Sequence, residues 1–410
     1  MGSFVSQLVP CFVLTLIQLV AALPWTWALF SRSLKTQFRQ ASNWGVLVGG
    51  VALVTLVGAF FLGFQRGSSS LELYGRFYAS ILHFQLVVDA FVAFFGLLTL
   101  VWPKGGAVAL AAFREGIRQP MFWIIAMGAG VILLVGMVVP YFTFGDDFKL
   151  YKQICFDAAM AGALLFGVLA ASMSIHDEIE GKTAVTLMSK PVTRRQFLLG
   201  KYLGILLAAW ALTQLIGWSS NWFMMAQPRW NPLDEVSDPM VEQAQQSIGF
   251  HLTKLGSGDM FVFLRGVSMW SGDALANTLG LALSFGKVMV LLAIAATLAT
   301  RLPMVANILI TMVVFLFGHL APVLTRVTVE LKRDNPNNVA LNMIGFLTKL
   351  FETLLPSLDS FSMGPAIIRD TPIDMIDFAY YTGSVLVYAL MYTSIALLFG
   401  LILFEDRDLA

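Results

Sequence analysis

The chain has 410 residues, 58% of them hydrophobic and 12% charged, with a net charge of +1 and a mean hydropathy of +0.77. Soluble domains carry roughly 25% charged residues, so this composition excludes a soluble globular fold, and the near-neutral balance gives no signal for nucleic acid, which is not expected as a partner. Cys11 and Cys155 are the only cysteines, both in apolar runs, which excludes a disulfide framework and a cysteine-based metal site.

Several apolar runs exceed the roughly 18 residues that mark a spanning helix. Backbone groups in a bilayer must be satisfied within each segment, and no ten-residue alternation suggests a barrel. The expected fold is an all-α integral membrane protein, a polytopic helical bundle of eight or nine transmembrane helices. Phe4 to Phe30 is apolar, with Arg32, Lys35 and Arg39 after it, which points to an uncleaved first helix with its N-terminus outside. Pro24, Trp25 and Trp27 crowd one end, so a re-entrant segment stays open as the alternative. Trp44 to Phe64 spans next, a polar, Ser-rich loop runs to about Ala79, and Ser80 to Trp102 spans back.

Leu110, Phe113 and Ile117 share a helical face flanked by Arg114 and Arg118, with Glu115 between them. That pattern suits a helix lying in the interface plane. Pro120 separates it from the span Met121 to Tyr141, and Cys155 to Met173 crosses again. Leu203 to Met225, Gly280 to Thr300, Val305 to Leu324 and Phe378 to Phe404 complete the spans. Two longer segments, 226–276 and 326–377, fall outside. In the second, Ile344, Leu347, Phe351 and Leu354 share one face, as a helix on the membrane surface would. The C-terminus lies inside.

The most informative stretch is a polar interruption, 175–204, reading IHDEIEGKTAVTLMSKPVTRRQFLLGKYLG. Three acids, Asp177, Glu178 and Glu180, end one apolar run. Pro191 disfavours helix at Lys190, so the chain turns there. Thr193 with Gln196 has capping-box spacing, and Val192 with Phe197 has the spacing of a hydrophobic staple. Arg194 and Arg195 occupy the first turn of the new helix, where its dipole does not favour cations. Lipid phosphates or an acidic partner would account for them, and so would plain positive-inside anchoring. Five of the chain's cations lie in this elbow: Lys182, Lys190, Arg194, Arg195 and Lys201.

Gly181-Lys182-Thr183 is not a P-loop, because His176 stands where the first glycine is needed and an acidic helix end precedes it. His176, Asp177 and Glu178 are adjacent and so face different ways on a helix, which reads as a solvated polar helix end rather than a metal site. No catalytic residue, metal ligand or cofactor site is expected in this chain. Asp89 lies near the middle of its span, where an acid costs roughly 2.5–3.5 kcal/mol. It must be protonated, hydrogen-bonded or facing a polar path. Asp157 near one interface reads as hydrated, Lys287 as snorkelling outward, and His319 as a packed polar residue.

The elbow resembles the cytoplasmic elbow of ABC-2-type transporter permeases. Glu178, Glu180, Gly181, Thr183, Leu187, Ser189, Pro191, Arg194, Phe197, Gly200 and Lys201 carry the likeness, with Lys182 inserted between a glycine and threonine that the family usually keeps adjacent. FREGIRQPMFW (Phe113 to Trp123) and LLPSLDSF (Leu354 to Phe361) are similar to further family segments. The resemblance implies accessory membrane segments over 1–106 and a permease domain of six spans over 107–410. It implies export of a substrate through a permease in the plasma membrane, as a homodimer or with a related permease subunit. ATP would be hydrolysed by a separate ABC ATPase that contacts Glu178, Glu180, Gly181, Thr183, Pro191, Arg194 and Arg195. Membrane lipids are the other expected partners. A non-transporting scaffold that docks a partner through the same elbow is the alternative reading.

Overall fold

The structure is a computed structural model that describes residues 2–37, 41–64, 67–139, 141, 143, 145–180, 192–230, 238–334, 338–354, 356–367 and 373–405. Those residues are helical almost throughout, and among them nine helices are long and apolar enough to cross a membrane. The first apolar run is one of the nine, as Gln7–Phe30. Among the described residues, the α-helices longer than one turn are α1 Gly2–Gln37, α2 Ala41–Phe64, α3 Ser68–Val101, α4 Pro103–Arg118, α5 Pro120–Val138, α6 Asp147–Ala171, α7 Arg194–Ala226, α8 Pro239–Leu252, α9 Asp259–Leu298, α10 Met304–Asp334, α11 Val339–Leu354 and α12 Met375–Glu405.

Several helices outrun their apolar spans. The Ser-rich stretch expected to be a loop up to Ala79 is helical from Ser68, and α9 begins at Asp259 instead of near Gly280. At 1.5 Å per residue the 40 residues of α9 extend about 60 Å, twice the roughly 30 Å hydrocarbon core. Hydropathy finds the apolar part of a helix but not the polar turns that prolong it.

The chain divides into two compact units. The first comprises 1–100 and 238–277, so the segment after α7 packs with the N-terminal helices and not with the helices that flank it in sequence. The reason is glycine packing. A Cβ on Gly75 would sit 2.1 Å from the Phe263 carbonyl oxygen, and one on Gly266 would sit 2.0 Å from that of Glu72. With backbones this close, Glu72 pairs with Arg265 (3.3 Å), Arg76 approaches Asp273 (3.8 Å), and Gln245 of α8 donates to Asp273 (2.6 Å). Within the same unit α1 keeps its helix through Pro10 and Pro24. Proline lacks an N–H and disturbs the helix ladder, and the next amide, Trp25 N–H, donates to the Asp89 carboxylate at 3.1 Å. Asp89 therefore serves as a structural acceptor for the amide that follows Pro24, one of the roles its mid-span position demanded.

The second unit comprises 101–237 and 278–410. Its most extensive helix contact joins α4 and α7. The face that α4 buries is Gly105, Val108, Ala109, Ala112 and Gly116. Leu110, Phe113 and Ile117, the apolar face read in sequence, are half-buried. Small residues let backbones touch, and Gly200, Gly204 and Ala208 on α7 offer the matching stripe. The apolar face is thereby left for other surroundings.

A Cβ on Gly204 would lie 2.3 Å from the Ala109 carbonyl oxygen, whereas Gly96 has open space around it. Gly204→Ala is expected to lower stability by about 1–3 kcal/mol through overpacking, and Gly96→Ala to be neutral or stabilising by a few tenths up to about 1 kcal/mol. Thermal melting in detergent measures both; equal melting of the two variants would remove the α4–α7 contact as a stability determinant.

Candidate functional site

The site is built from the two helix ends that frame the polar interruption. On the approach side, α6 does not stop at the end of its apolar run. It passes through a π-helical turn, Ser172–His176, and a final α-turn, Asp177–Glu180. On the departure side, Thr193 caps α7 as its spacing predicts: Gln196 N–H donates to Thr193 Oγ1 (3.3 Å), and Thr193 N–H donates to Gln196 Oε1 (3.1 Å). Gly181, Thr183 and Pro191, with the rest of 181–191, lie outside the described residues.

Between the two ends sits Lys201, two turns into α7 and 5% exposed. Its Nζ donates to Glu178 Oε1 (2.5 Å), Ser174 Oγ (2.9 Å) and Glu115 Oε2 (3.3 Å). An ammonium has three donors, and here each meets an acceptor on a different segment: the last turn of the approach helix, the π-turn and α4. Ionised donors and acceptors make the stronger hydrogen bonds, and a buried ammonium without partners costs several kcal/mol. Lys201 thus ties α4, the end of α6 and α7 together.

The π-turn is pinned a second time. Asn307 of α10, fully buried, donates from Nδ2 to Ser172 Oγ (2.9 Å) and to the Ala295 carbonyl of α9 (3.0 Å). Ser172 itself donates to Val168 O (2.8 Å). π-turns inside α-helices concentrate at functional sites, and this one directly precedes the elbow. His176 is 6% exposed and lies 3.3 Å from Glu180 Oε1. The solvated polar helix end expected here is corrected accordingly: His176 points inward and Glu178 is held by Lys201, while Asp177 and Glu180 remain exposed. A π-turn shifts the helix register by one residue, a change no periodicity count anticipates.

Arg194 and Arg195 also find partners inside the molecule. Arg194 Nη1 donates to the carbonyls of Phe404 (2.9 Å) and Glu405 (2.8 Å), its guanidinium lies 5.7 Å from the Phe404 ring, and Arg195 pairs with the Glu405 carboxylate (2.9 Å). Arg301, in the turn between α9 and α10, donates to Leu403 O (2.9 Å). A helix ends with four unsatisfied carbonyls and partial negative charge. Three arginines therefore gather at the end of α12, which explains cations placed against the dipole of their own helix. Phe197, fully buried, faces Phe404 at 6.0 Å.

Of the residues singled out in sequence, Glu115, Glu178, Glu180, Arg194 and Arg195 thus converge on one end of the second unit. Arg114 and Arg118 are exposed on α4, and Asp89 belongs to the first unit. Sequence reasoning named Lys201 only as one of the elbow's cations and motif residues, with no partner, and did not single out Asn307, Arg301 or Glu405. A lysine two turns inside an apolar helix was the available signal for the first; the others become visible only when α6, α10 and α12 are brought together.

Removing one partner of a buried pair leaves the other charge uncompensated and costs about 3–5 kcal/mol, and Glu178 retains 25% side-chain exposure. Lys201→Met is expected to lose about 3 kcal/mol. A double-mutant cycle of Lys201 and Glu178 should give a coupling above about 1 kcal/mol, against less than that for the exposed pair Arg195 and Glu405. Equal coupling energies in the two cycles would sink the assignment of Lys201 as the central link.

A family model described as ABC-2 family transporter protein matches residues 106–409. No curated protein matched the chain. The match covers well over half of the sequence and takes in the elbow, both helix ends and the α12 terminus. With nine apolar helices of spanning length among its described residues, this multi-pass membrane protein belongs to the ABC-2 transporter family.

Proposed function

We propose that the chain is the membrane-spanning permease subunit of an exporter, powered by ATP that a separate ABC ATPase subunit hydrolyses. The observation that carries this reading is the wiring of the elbow. Its approach end is joined through Lys201 to α4 and α7, and its departure end through Arg194 and Arg195 to the terminus of α12. A push on these two helix ends reaches four helices through direct side-chain contacts. Closure of two ATPase subunits on ATP could then bias a pore with two arrangements. The permease works as a homodimer or with a related subunit in the plasma membrane, with the elbow and C-terminus on the cytoplasmic side. The exposed Glu180 and Asp177 are the acids best placed to meet the ATPase, since Glu178 is committed to Lys201.

Co-purification from the native membrane tests this. The tagged chain is expected to recover a soluble ATPase, and Glu180→Arg to reduce that recovery several-fold without lowering the melting temperature. Recovery of the chain without any ATPase, or with an envelope protein in its place, would favour a scaffold role instead.

A further inference from the structure

Several cations of the second unit are matched inside the molecule. Lys201 is held by two carboxylates and a hydroxyl, and Arg194, Arg195 and Arg301 engage the end of α12. Lys287 of α9, read in sequence as snorkelling outward, is 6% exposed, with its Nζ 3.0 Å from His319 Nε2 of α10. Arg114 and Arg118 of α4 are exposed instead.

They belong to an ordered face. Lys104, Ala107, Ala111, Arg114 and Arg118 follow one another at intervals of three or four, so they line one side of the helix, and all of them are exposed. Leu110, Phe113 and Ile117 each directly precede a member of this set, which puts them on the flank about 100° round, half-buried. The side packed on α7 carries Gly105, Ala109, Ala112 and Gly116. The helix therefore shows one face for protein, one apolar face and one cationic face. Glu115 is the single acid of α4, and its carboxylate meets Lys201 Nζ at 3.3 Å. The helix has no further carboxylate to offset its cationic side.

Position along the chain fixes the depth of that side. Arg118 lies two residues before Pro120, where the spanning helix α5 begins, and at the start of α5 Trp123 and Ile124 are 54% and 67% exposed. Tryptophan is enriched at the membrane–water boundary, and the headgroup layer beyond the hydrocarbon is only about 5–7 Å thick on each side. Two residues of helix rise about 3 Å, so the arginines stand at headgroup depth with the apolar flank beside acyl chains. Arg114 and Arg118 are about 6 Å apart along the axis, close enough for both guanidinium forks to take one phosphate. An acidic protein would have to enter the headgroup layer to reach them; a lipid is already there.

We propose that Arg114 and Arg118, with Lys104 further along the same face, bind anionic phospholipid. The guanidinium groups hold the headgroup phosphate, and Leu110, Phe113 and Ile117 lie against the acyl chains. The lipid sits in the leaflet at the elbow end of this unit, on the helix whose Glu115 holds Lys201. The site rests on the membrane placement of α5 and needs no ATPase.

Native mass spectrometry of the whole chain in detergent reads the binding, with dioleoylphosphatidylglycerol, dioleoylphosphatidylcholine and glycerophosphate as probes. Phosphatidylglycerol is expected to bind at least fivefold more tightly than phosphatidylcholine, since each basic residue at an anionic surface is worth roughly a factor of five. Glycerophosphate, which lacks acyl chains, should not displace it. The preference should disappear in the double variant Arg114→Gln with Arg118→Gln and persist in Lys254→Gln, an exposed cation elsewhere. Both arginines are exposed, so the double variant should melt as the wild type does; the comparison of probes on the wild type stands whether or not it folds. Equal binding of the two lipids, displacement by glycerophosphate, a preference unchanged in the arginine variant, or its loss in Lys254→Gln would overturn the site. Weaker ATPase recovery by the arginine variant, with its lipid preference intact, would assign the face to a protein instead. Lipid preference without any co-purifying ATPase would overturn the coupling alone.

Discussion

Lys201 is the contact on which the elbow end of this molecule depends. Its side chain is buried where an ammonium is tolerable only with every donor matched, and the three matches come from three segments. The requirement runs both ways. Glu115 and Glu178 flank a cation that cannot leave, and α4 is held against the membrane helices by an ion pair as well as by packing. A surface lysine in the same helix would add little, since exposed pairs contribute about 0–1 kcal/mol.

That ion pair is possible because the backbones come close. Gly200 and Gly204 on α7 face Gly105, Ala109 and Ala112 on α4, and the approach brings Glu115 within reach of Lys201. The first unit repeats the device, with Gly75 and Gly266 in backbone contact and Glu72, Arg76, Arg265 and Asp273 paired alongside. Within a bilayer there is little hydrophobic drive between helices, so small residues and hydrogen-bonded polar groups carry association. The same logic places Asn307 on the π-turn and Thr297 on the Ala396 carbonyl of α12, beside Gly400. Polar cross-links and small-residue contacts thus occur together, because only close backbones let short polar side chains bridge.

The elbow residues divide by role once their partners are known. Arg194 and Arg195 satisfy the terminus of α12, Glu178 satisfies Lys201, and Glu180 keeps 62% side-chain exposure beside His176. Among the described residues, the charged ends of this motif are therefore largely engaged inside the molecule, with Asp177 and Glu180 exposed. Rigid attachment is what a coupling element requires, since a loosely held elbow would absorb displacement locally instead of passing it to the helices.

Sequence by itself determined the class, the spans, the Thr193 capping box and the family. Each of these is written in local quantities: the length of an apolar run, the spacing of two polar residues, a contiguous motif. It also marked Asp89, Glu115, Glu178 and the paired arginines as residues needing an explanation, because a charge in or beside an apolar run is costly wherever it ends up. Tertiary structure alone decided what each of them touches. The π-turn rotates the approach helix by a residue, so helical periodicity cannot say that Glu178 faces Lys201 while Glu180 faces out. The hydrophobic face of α4 was legible, yet the packed face is the small-residue one, because close backbone approach outweighs apolar area where lipid is the competing solvent. Asp89 with Trp25, Arg194 with Phe404, and Asn307 with Ser172 join residues 64, 210 and 135 positions apart. Such pairs are set by which helices lie side by side, and no local pattern records that.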